Sequence, residues 1–97
     1  LRLAQLYLYY EIPYKAAIIL EKELQAERIK DEEKNWEQLA NAWLSAREWK
    51  KAIPPLTKAA EMSEDGRLFL RLGQTYMQEE DWKNAEKYIR YAIKRVI

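Results

Sequence analysis

The feature that most restricts the fold of this chain is an internal repeat with a period of 33 residues. Segment 39–43 (LANAW) matches segment 72–76 (LGQTY), and similar residues recur at the same interval around them. The recurring pairs are Trp36 and Phe69, Trp49 and Trp82, Ala52 and Ala85, Leu56 and Ile89, and Ala59 and Ala92. A third copy begins at 3–7 (LAQLY) and continues over 14–24. A fixed period of this length indicates supersecondary units that bury their apolar faces on one another.

Each copy divides into two amphipathic helices. In the second copy the apolar residues fall at i, i+3, i+4 and i+7, which is the spacing of one helical face. They are Trp36, Leu39, Ala40 and Trp43. A short connection at 45–48 then precedes a second apolar stripe over 52–60. Two helices in each of three copies predict an all-α fold with six helices.

Several single residues indicate how these helices pack and where they end. Ala40 and Gly73 are small residues at matching positions, which allows the two axes of a helix pair to approach closely. Asp81 is placed to cap the last helix, and Gly66 is placed to adopt a positive φ before the third copy. The tryptophans fall on repeat positions, which favours core packing over a stacking platform for sugars or bases: Trp36, Trp43, Trp49 and Trp82.

The pair Pro54 and Pro55 conflicts with a regular helix after Trp49. A proline inside a helix lacks the N–H donor and clashes with the preceding turn, at a cost of ~3 kcal/mol or more. This helix therefore either starts late, near Ile53, or has a distorted first turn. We favour a late or irregular start, because proline is well tolerated in a first turn.

The composition excludes most enzymatic chemistries. The chain has no Cys and no His, so thiolate catalysis, imidazole-based dyads and triads, and the usual zinc sites are excluded. It has only two Gly, so it lacks a glycine loop that could cradle a phosphate. We therefore expect no catalytic residue, no metal, no cofactor and no small-molecule substrate.

Charge and hydropathy limit the class of partner. The 17 Lys and Arg nearly balance the 16 Asp and Glu, so the chain has no strong overall attraction for nucleic acid. The basic segment 83–95 is explained more simply by the dipole of the last helix than by RNA binding. No stretch approaches the ~20 apolar residues of a membrane span, so membrane insertion is not expected. A protein or peptide is therefore the expected partner.

These repeat residues resemble the tetratricopeptide repeat (TPR) family. Its units open with an aromatic residue and continue with Leu beside a small residue, an aromatic, Ala, an aliphatic and Ala. The second copy matches with Trp36, Leu39, Ala40, Trp43, Ala52, Leu56 and Ala59, and the third with Phe69, Leu72, Gly73, Tyr76, Ala85, Ile89 and Ala92. The resemblance implies a right-handed solenoid of stacked helix pairs. It also implies one domain over 1–97, a fragment of a longer chain, with repeats at about 1–29, 33–64 and 66–97.

In this family the first helix of each unit lines a concave groove. Matching positions here give the expected groove residues Gln5, Tyr9, Gln38, Asn41, Leu44, Arg67, Arg71, Gln74, Met77 and Gln78. The amides Gln5, Asn41 and Gln74, one per unit, can pair with the backbone of an extended peptide. Arg67 and Arg71, four residues apart, either receive a carboxylate or are simply solvated. The apolar members either receive partner side chains or pack on a neighbouring helix.

The resemblance implies a non-catalytic scaffold that binds a segment of another protein in this groove. The sequences of segments 3–8 (LAQLYL), 12–17 (IPYKAA) and 51–56 (KAIPPL) are similar to those of bacterial TPR proteins associated with TonB-type uptake systems. That similarity implies an accessory component of such a system in the periplasm. Without it, the cytoplasm is the alternative compartment.

A second functional interpretation is structural. The last helix has more apolar residues than one covered face requires: Tyr88, Ile89, Ala92, Ile93 and Val96. Repeat stacks need a polar element at each end, so an uncapped end favours further contacts. The alternative is therefore an internal piece of a longer solenoid that forms homo-oligomers through its end helices.

Overall fold

The computed structural model describes the backbone of residues 2–63 and 66–96 and the side chains of 11–63 and 66–95. Over these residues it is all-α, as predicted, and contains five helices. They are α1 (Arg2–Gln25), α2 (Glu33–Ser45), α3 (Trp49–Met62), α4 (Arg67–Gln78) and α5 (Trp82–Val96). Each helix packs on the next one in the chain, which gives a flat body of 46 × 33 × 18 Å.

The prediction of six helices is wrong for the first copy. Where two helices were expected, α1 is a single helix of 24 residues with Pro13 inside it. The first copy has no residue with positive φ between its halves, whereas α2 and α4 are followed by Arg47 and Glu80, which have positive φ. An uninterrupted helix loses only the N–H donor of Pro13 and keeps the other backbone bonds of both halves. None of the described helices, α1 included, is long and apolar enough to cross a membrane.

The second and third copies repeat closely in the structure. Helices α2 and α4 end 33 residues apart, at Ser45 and Gln78, and α3 and α5 begin 33 residues apart. Both turns use a non-glycine residue with positive φ, Arg47 at 60° and Glu80 at 59°. In each turn the next N–H reaches back five residues: Glu48 donates to the carbonyl of Trp43 and Asp81 to that of Tyr76, both at 2.9 Å. These bonds satisfy the last helical carbonyls and fix the direction of the next helix.

The core consists of two buried clusters that share the side chains of Trp36 and Leu44 at their boundary. Trp43 is buried in the cluster that also contains Ala17, Leu24, Leu39 and Ala52. Its ring meets that of Tyr14 edge-on, with the centroids 5.4 Å apart. Trp82 was predicted to be a core residue and is instead 61% exposed. It lies on the far side of α5, where no described helix packs.

An aromatic cluster that the sequence analysis did not identify joins α4 to α5. Tyr88 stacks on Tyr76 at 5.6 Å and on Phe69 at 6.0 Å, and Tyr91 meets Phe69 edge-on at 5.7 Å. Such pairs contribute ~0.5–1.5 kcal/mol each beyond the area that they bury. Burial, followed by the nearby Tyr88 and Asp81, raises the pKa of the Tyr76 hydroxyl above its ordinary value.

The predicted late start of α3 is also wrong, because α3 begins at Trp49 and includes both prolines. Pro55 is buried, and Ile53 packs against the core. The two missing N–H donors leave only the carbonyls of Lys50 and Lys51 without helical partners, and both residues are exposed to water. Packing of the first turn therefore outweighs the local cost of the prolines.

The two glycines act through space rather than through positive φ. Gly66 has a φ of −91°, contrary to the prediction, and a Cβ there would lie 2.6 Å from the carbonyl oxygen of Ala92. A Cβ on Gly73 would lie 2.7 Å from Cγ1 of Ile89 and 3.1 Å from the carbonyl oxygen of Ala85. The predicted close approach of the helices at Gly73 is confirmed.

We expect Gly73→Ala to lower the free energy of unfolding by up to ~2 kcal/mol. Helix propensity alone would raise it by ~1 kcal/mol, but overpacking against α5 costs ~1–3 kcal/mol. Urea denaturation followed by circular dichroism measures the difference. The neighbouring exposed Gln74→Ala is the control and should change stability by no more than ~0.5 kcal/mol. A Gly73→Ala variant more stable than the parent would contradict the close packing.

The predicted N-cap at Asp81 is confirmed. Its Oδ1 accepts a bond from the backbone N–H of Asn84 at 3.3 Å, and its Oδ2 accepts one from Nδ2 of Asn84 at 2.7 Å. The carbonyl of Asp81 accepts the first bond of α5, from the N–H of Ala85 at 3.0 Å. Asp81 thus ends the turn and starts the last helix.

We expect Asp81→Ala to destabilise the chain by ~0.5–2 kcal/mol, because it removes the acceptor for a helix N-terminus. Asp81→Asn keeps an oxygen acceptor and should retain most of that stability. Thermal denaturation of the two variants in parallel distinguishes the cap from the charge. Equal losses in both variants would assign the effect to the charge.

Candidate functional site

The candidate site lies between α2 and α4, the first helices of the second and third copies. Ala40 of α2 shares a buried cluster with Leu68 and Leu72 of α4, but the two backbones lie farther apart than those of consecutive helices, which leaves a shallow groove between them. One ion pair crosses it, with Nη1 of Arg67 at 3.3 Å from Oε2 of Glu37. The groove is therefore held open by α3, which packs on both helices.

The groove contains a depression of about 240 Å³. Its walls are Leu44, Trp49, Arg71, Gln74, Thr75 and Gln78. Four of these are predicted groove residues, namely Leu44, Arg71, Gln74 and Gln78. The structure thus brings together an aliphatic side chain, a guanidinium and two amides from helices 33 residues apart.

Two wall residues were not predicted. Trp49 was assigned to the core and is half-buried, with part of its ring in the groove. Thr75 takes the repeat position of Ala42, and its hydroxyl donates to the carbonyl of Arg71 at 2.9 Å. A threonine hydroxyl within reach of the carbonyl four residues back usually bonds internally. The sequence gives no sign that Trp49 lines the groove, because Trp82 occupies the equivalent repeat position and a repeated aromatic residue indicates core packing.

The other predicted residues whose side chains are described lie outside the walls of the depression. Gln38 and Met77 are exposed, and Arg67 lies at the edge in the ion pair with Glu37. Asn41 is half-buried, and its Oδ1 is inaccessible and accepts no hydrogen bond. The predicted amide ladder therefore presents Gln74 to solvent but encloses the oxygen of Asn41.

Two predicted residues, Gln5 and Tyr9, lie on α1 outside the part of the chain whose side chains are described.

Charge in the groove is concentrated on Arg71. Arg67 is paired with Glu37, whereas Arg71 is half-buried in the wall and forms no ion pair with any described residue. A guanidinium in a half-buried wall is less hydrated than one on an open surface, which strengthens its bonds to a carboxylate. The two arginines, which the sequence predicts to be equivalent, therefore differ. Arg67 forms an ion pair with Glu37, and Arg71 lines the depression.

A second depression, of about 410 Å³, lies where α1 meets α2 and α3. Its walls are Leu24, Gln25, Glu27, Ile29, Lys30, Asp31, Trp36 and Lys58. The Trp36 indole donates to the carboxylate of Asp31, and Nζ of Lys58 lies 4.7 Å from the Trp36 ring. The polar groups of this depression that could orient a ligand, namely the Asp31 carboxylate, the Trp36 indole N–H and the Lys58 ammonium, therefore already interact with one another. Among the described residues, no group of three or more acidic side chains is placed to hold a metal ion.

Comparison with known proteins adds no relative. No family model matches this sequence, and no curated protein matches it.

We expect the Glu37–Arg67 pair to contribute little to stability and to be sensitive to salt. The partners are 23% and 58% exposed, and surface pairs are worth ~0.2–1 kcal/mol. A double-mutant cycle with Glu37→Gln and Arg67→Gln measures the coupling, first at low and then at high ionic strength. A coupling that persists in high salt would contradict a solvent-screened bridge.

Proposed function

We propose that this chain is a non-catalytic protein-interaction scaffold of the TPR type, which binds a segment of a partner protein in the groove between α2 and α4. One observation carries the proposal. Leu44, Arg71, Gln74 and Gln78 come from two repeats, yet they line one open depression. A helix pair that served only to bury a core would not need this mixture of groups on its outer face.

The groups suggest how a partner segment binds. Leu44 and Trp49 supply an apolar wall for an aliphatic side chain. Arg71 supplies a fork that bonds both oxygens of a carboxylate, either a chain terminus or an acidic side chain. Gln74 and Gln78 each offer a donor and an acceptor to the backbone of an extended peptide. The favoured ligand is therefore an extended segment with one aliphatic and one acidic group.

The TPR assignment is supported by the helix bounds and by the residues at the helix contacts. Two helix–turn–helix units recur at 33 residues, and the small residues Ala40 and Gly73 lie in the core of each unit. The single helix α1 departs from that pattern. We also propose that the partner belongs to a bacterial TonB-type uptake system in the periplasm. This proposal rests only on the sequence similarity of segments 3–8, 12–17 and 51–56.

The proposal is tested by affinity capture from periplasmic and from cytoplasmic extracts, with bound proteins identified by mass spectrometry. The baits are the parent chain, Arg71→Glu and Lys22→Glu. Lys22 is an exposed lysine of α1, so its variant makes the same charge change away from the groove. We expect a partner that the parent and Lys22→Glu capture and that Arg71→Glu loses by about tenfold or more, because a reversed charge repels a carboxylate.

Circular dichroism confirms that Arg71→Glu is folded. Equal capture by all three baits would contradict the groove as the binding site. Concentration-dependent self-association in sedimentation velocity, unchanged in Arg71→Glu and without any captured partner, would instead support the structural alternative of a solenoid piece. The extract that contains the partner decides the compartment.

A further inference from the structure

The outer face of α5 matches a face of α3 that is buried inside the chain. On α3 the stripe is Trp49, Ile53, Leu56 and Ala60, and on α5, 33 residues later, it is Trp82, Glu86, Ile89 and Ile93. Leu56 and Ala60 are fully buried in one cluster with Leu68 and Leu72 of α4. The same face of α5 is partly open among the described residues: Trp82 is 61% and Ile93 55% exposed, whereas Ile89 is half-buried against Gly73 of α4.

The border of this stripe differs strongly between the two helices. On α3 the bordering residues are Lys50, Pro54, Thr57 and Glu61, and on α5 they are Lys83, Lys87, Arg90 and Lys94. The four cations of α5 are exposed, and with Glu86 and Tyr91 they line a depression of about 300 Å³. The border is nearly neutral on α3 and basic on α5, although the two helices occupy equivalent positions in their repeats.

The one acidic residue of the α5 stripe is already neutralised. Oε1 of Glu86 accepts a bond from Nη2 of Arg90 at 2.6 Å. Nζ of Lys87 lies 5.2 Å from the ring of Tyr88 and 5.9 Å from that of Tyr91, which holds this ammonium group over the helix. Lys83 and Lys94 extend the positive charge to either end of the stripe.

We propose that this face of α5 docks an amphipathic helix of a separate partner protein, with an aliphatic ridge and an acidic border. The packing of α4 on the equivalent face of α3 shows that a helix fits a stripe of this spacing. Because Arg90 is paired with Glu86, the three lysines of this face, Lys83, Lys87 and Lys94, specify acidic residues on the partner's border by charge complementarity. The surface shares no residue with the groove between α2 and α4, so the two sites are separate.

A helix fits this face better than a membrane surface does. Glu86 lies between the exposed apolar side chains Trp82 and Ile93, so a lipid surface that covered both would have to desolvate the ion pair of Glu86 with Arg90. The stripe is also part of a helix that packs on α4, so its apolar residues cannot all enter one flat plane. A helical partner, by contrast, can pass beside Glu86 and contact apolar residues on both sides.

The probes are two synthetic helical peptides of about five turns each. Both have leucine at i, i+4, i+7 and i+11, and they differ only in their flanking residues, which are Glu in one peptide and Lys in the other. Fluorescence anisotropy of a labelled peptide gives its affinity for the chain. We expect the acidic peptide to bind about tenfold more tightly than the basic one, with a difference that shrinks in high salt.

Three variants of the chain separate the contributions. Lys87→Glu with Lys94→Glu should reverse the preference, so that the basic peptide binds more tightly. Lys22→Glu with Lys50→Glu makes the same charge change on exposed residues of α1 and α3 and should leave the preference unchanged. Trp82→Gln with Ile93→Gln should weaken both peptides by about tenfold, because it removes the exposed apolar contacts.

Three results would overturn the proposal. The first is equal binding of both peptides by the parent chain, or no binding of either. The second is a chain that sediments with anionic vesicles and loses this on Trp82→Gln with Ile93→Gln, which would assign the face to a membrane. The third is a dimer in sedimentation velocity that the same double variant abolishes, which would assign it to a second copy of the chain.

Discussion

The close approach of paired helices at a small residue determines most of this structure. At Gly73 the backbone of α4 lies so near α5 that a Cβ would meet Ile89 and the carbonyl of Ala85. In the preceding pair the equivalent residue, Ala40, is fully buried. Because the two helices of a pair approach closely at this small residue, the larger side chains around it are buried in the core. The opposite faces of α2 and α4 are then not needed for this packing. The open groove is therefore a consequence of how the inner faces pack.

The turns transmit this geometry from one helix to the next. Arg47 and Glu80 adopt positive φ although neither is a glycine, at a cost of ~1–2 kcal/mol each. The backbone bonds to Trp43 and Tyr76 offset that cost and fix both turns in the same form. Equal turns give equal helix directions, so groove residues of the two copies point to the same side. The groove depends on this equality more than on any single side chain.

The sequence predicted what the repeat period controls and failed where the two copies differ in their surroundings. The period predicted α2 to α5, the cap at Asp81 and the close approach at Gly73. It did not predict the continuity of α1, which depends on the absence of a suitable turn, or the early start of α3, which depends on core packing of its first turn. The candidate groove residues with described side chains lie on α2 and α4, but the sequence could not show that Arg67 is paired with Glu37 or that the oxygen of Asn41 is enclosed. Those facts depend on neighbours from other helices, which one helix face does not reveal.

Divergence between equivalent positions is therefore the most informative signal in a repeat chain. Positions that contact a neighbouring helix must keep their size, whereas exposed positions need not. On α5, Arg90 and Lys94 stand where α3 has Thr57 and Glu61, and they add charge beside apolar side chains that are exposed among the described residues. A single turn with backbone hydrogen bonds joins the groove at Gln78 to this face at Trp82. A partner with both an extended segment and a helix would therefore bind the second site intramolecularly, at a raised effective concentration and without any rearrangement of the scaffold.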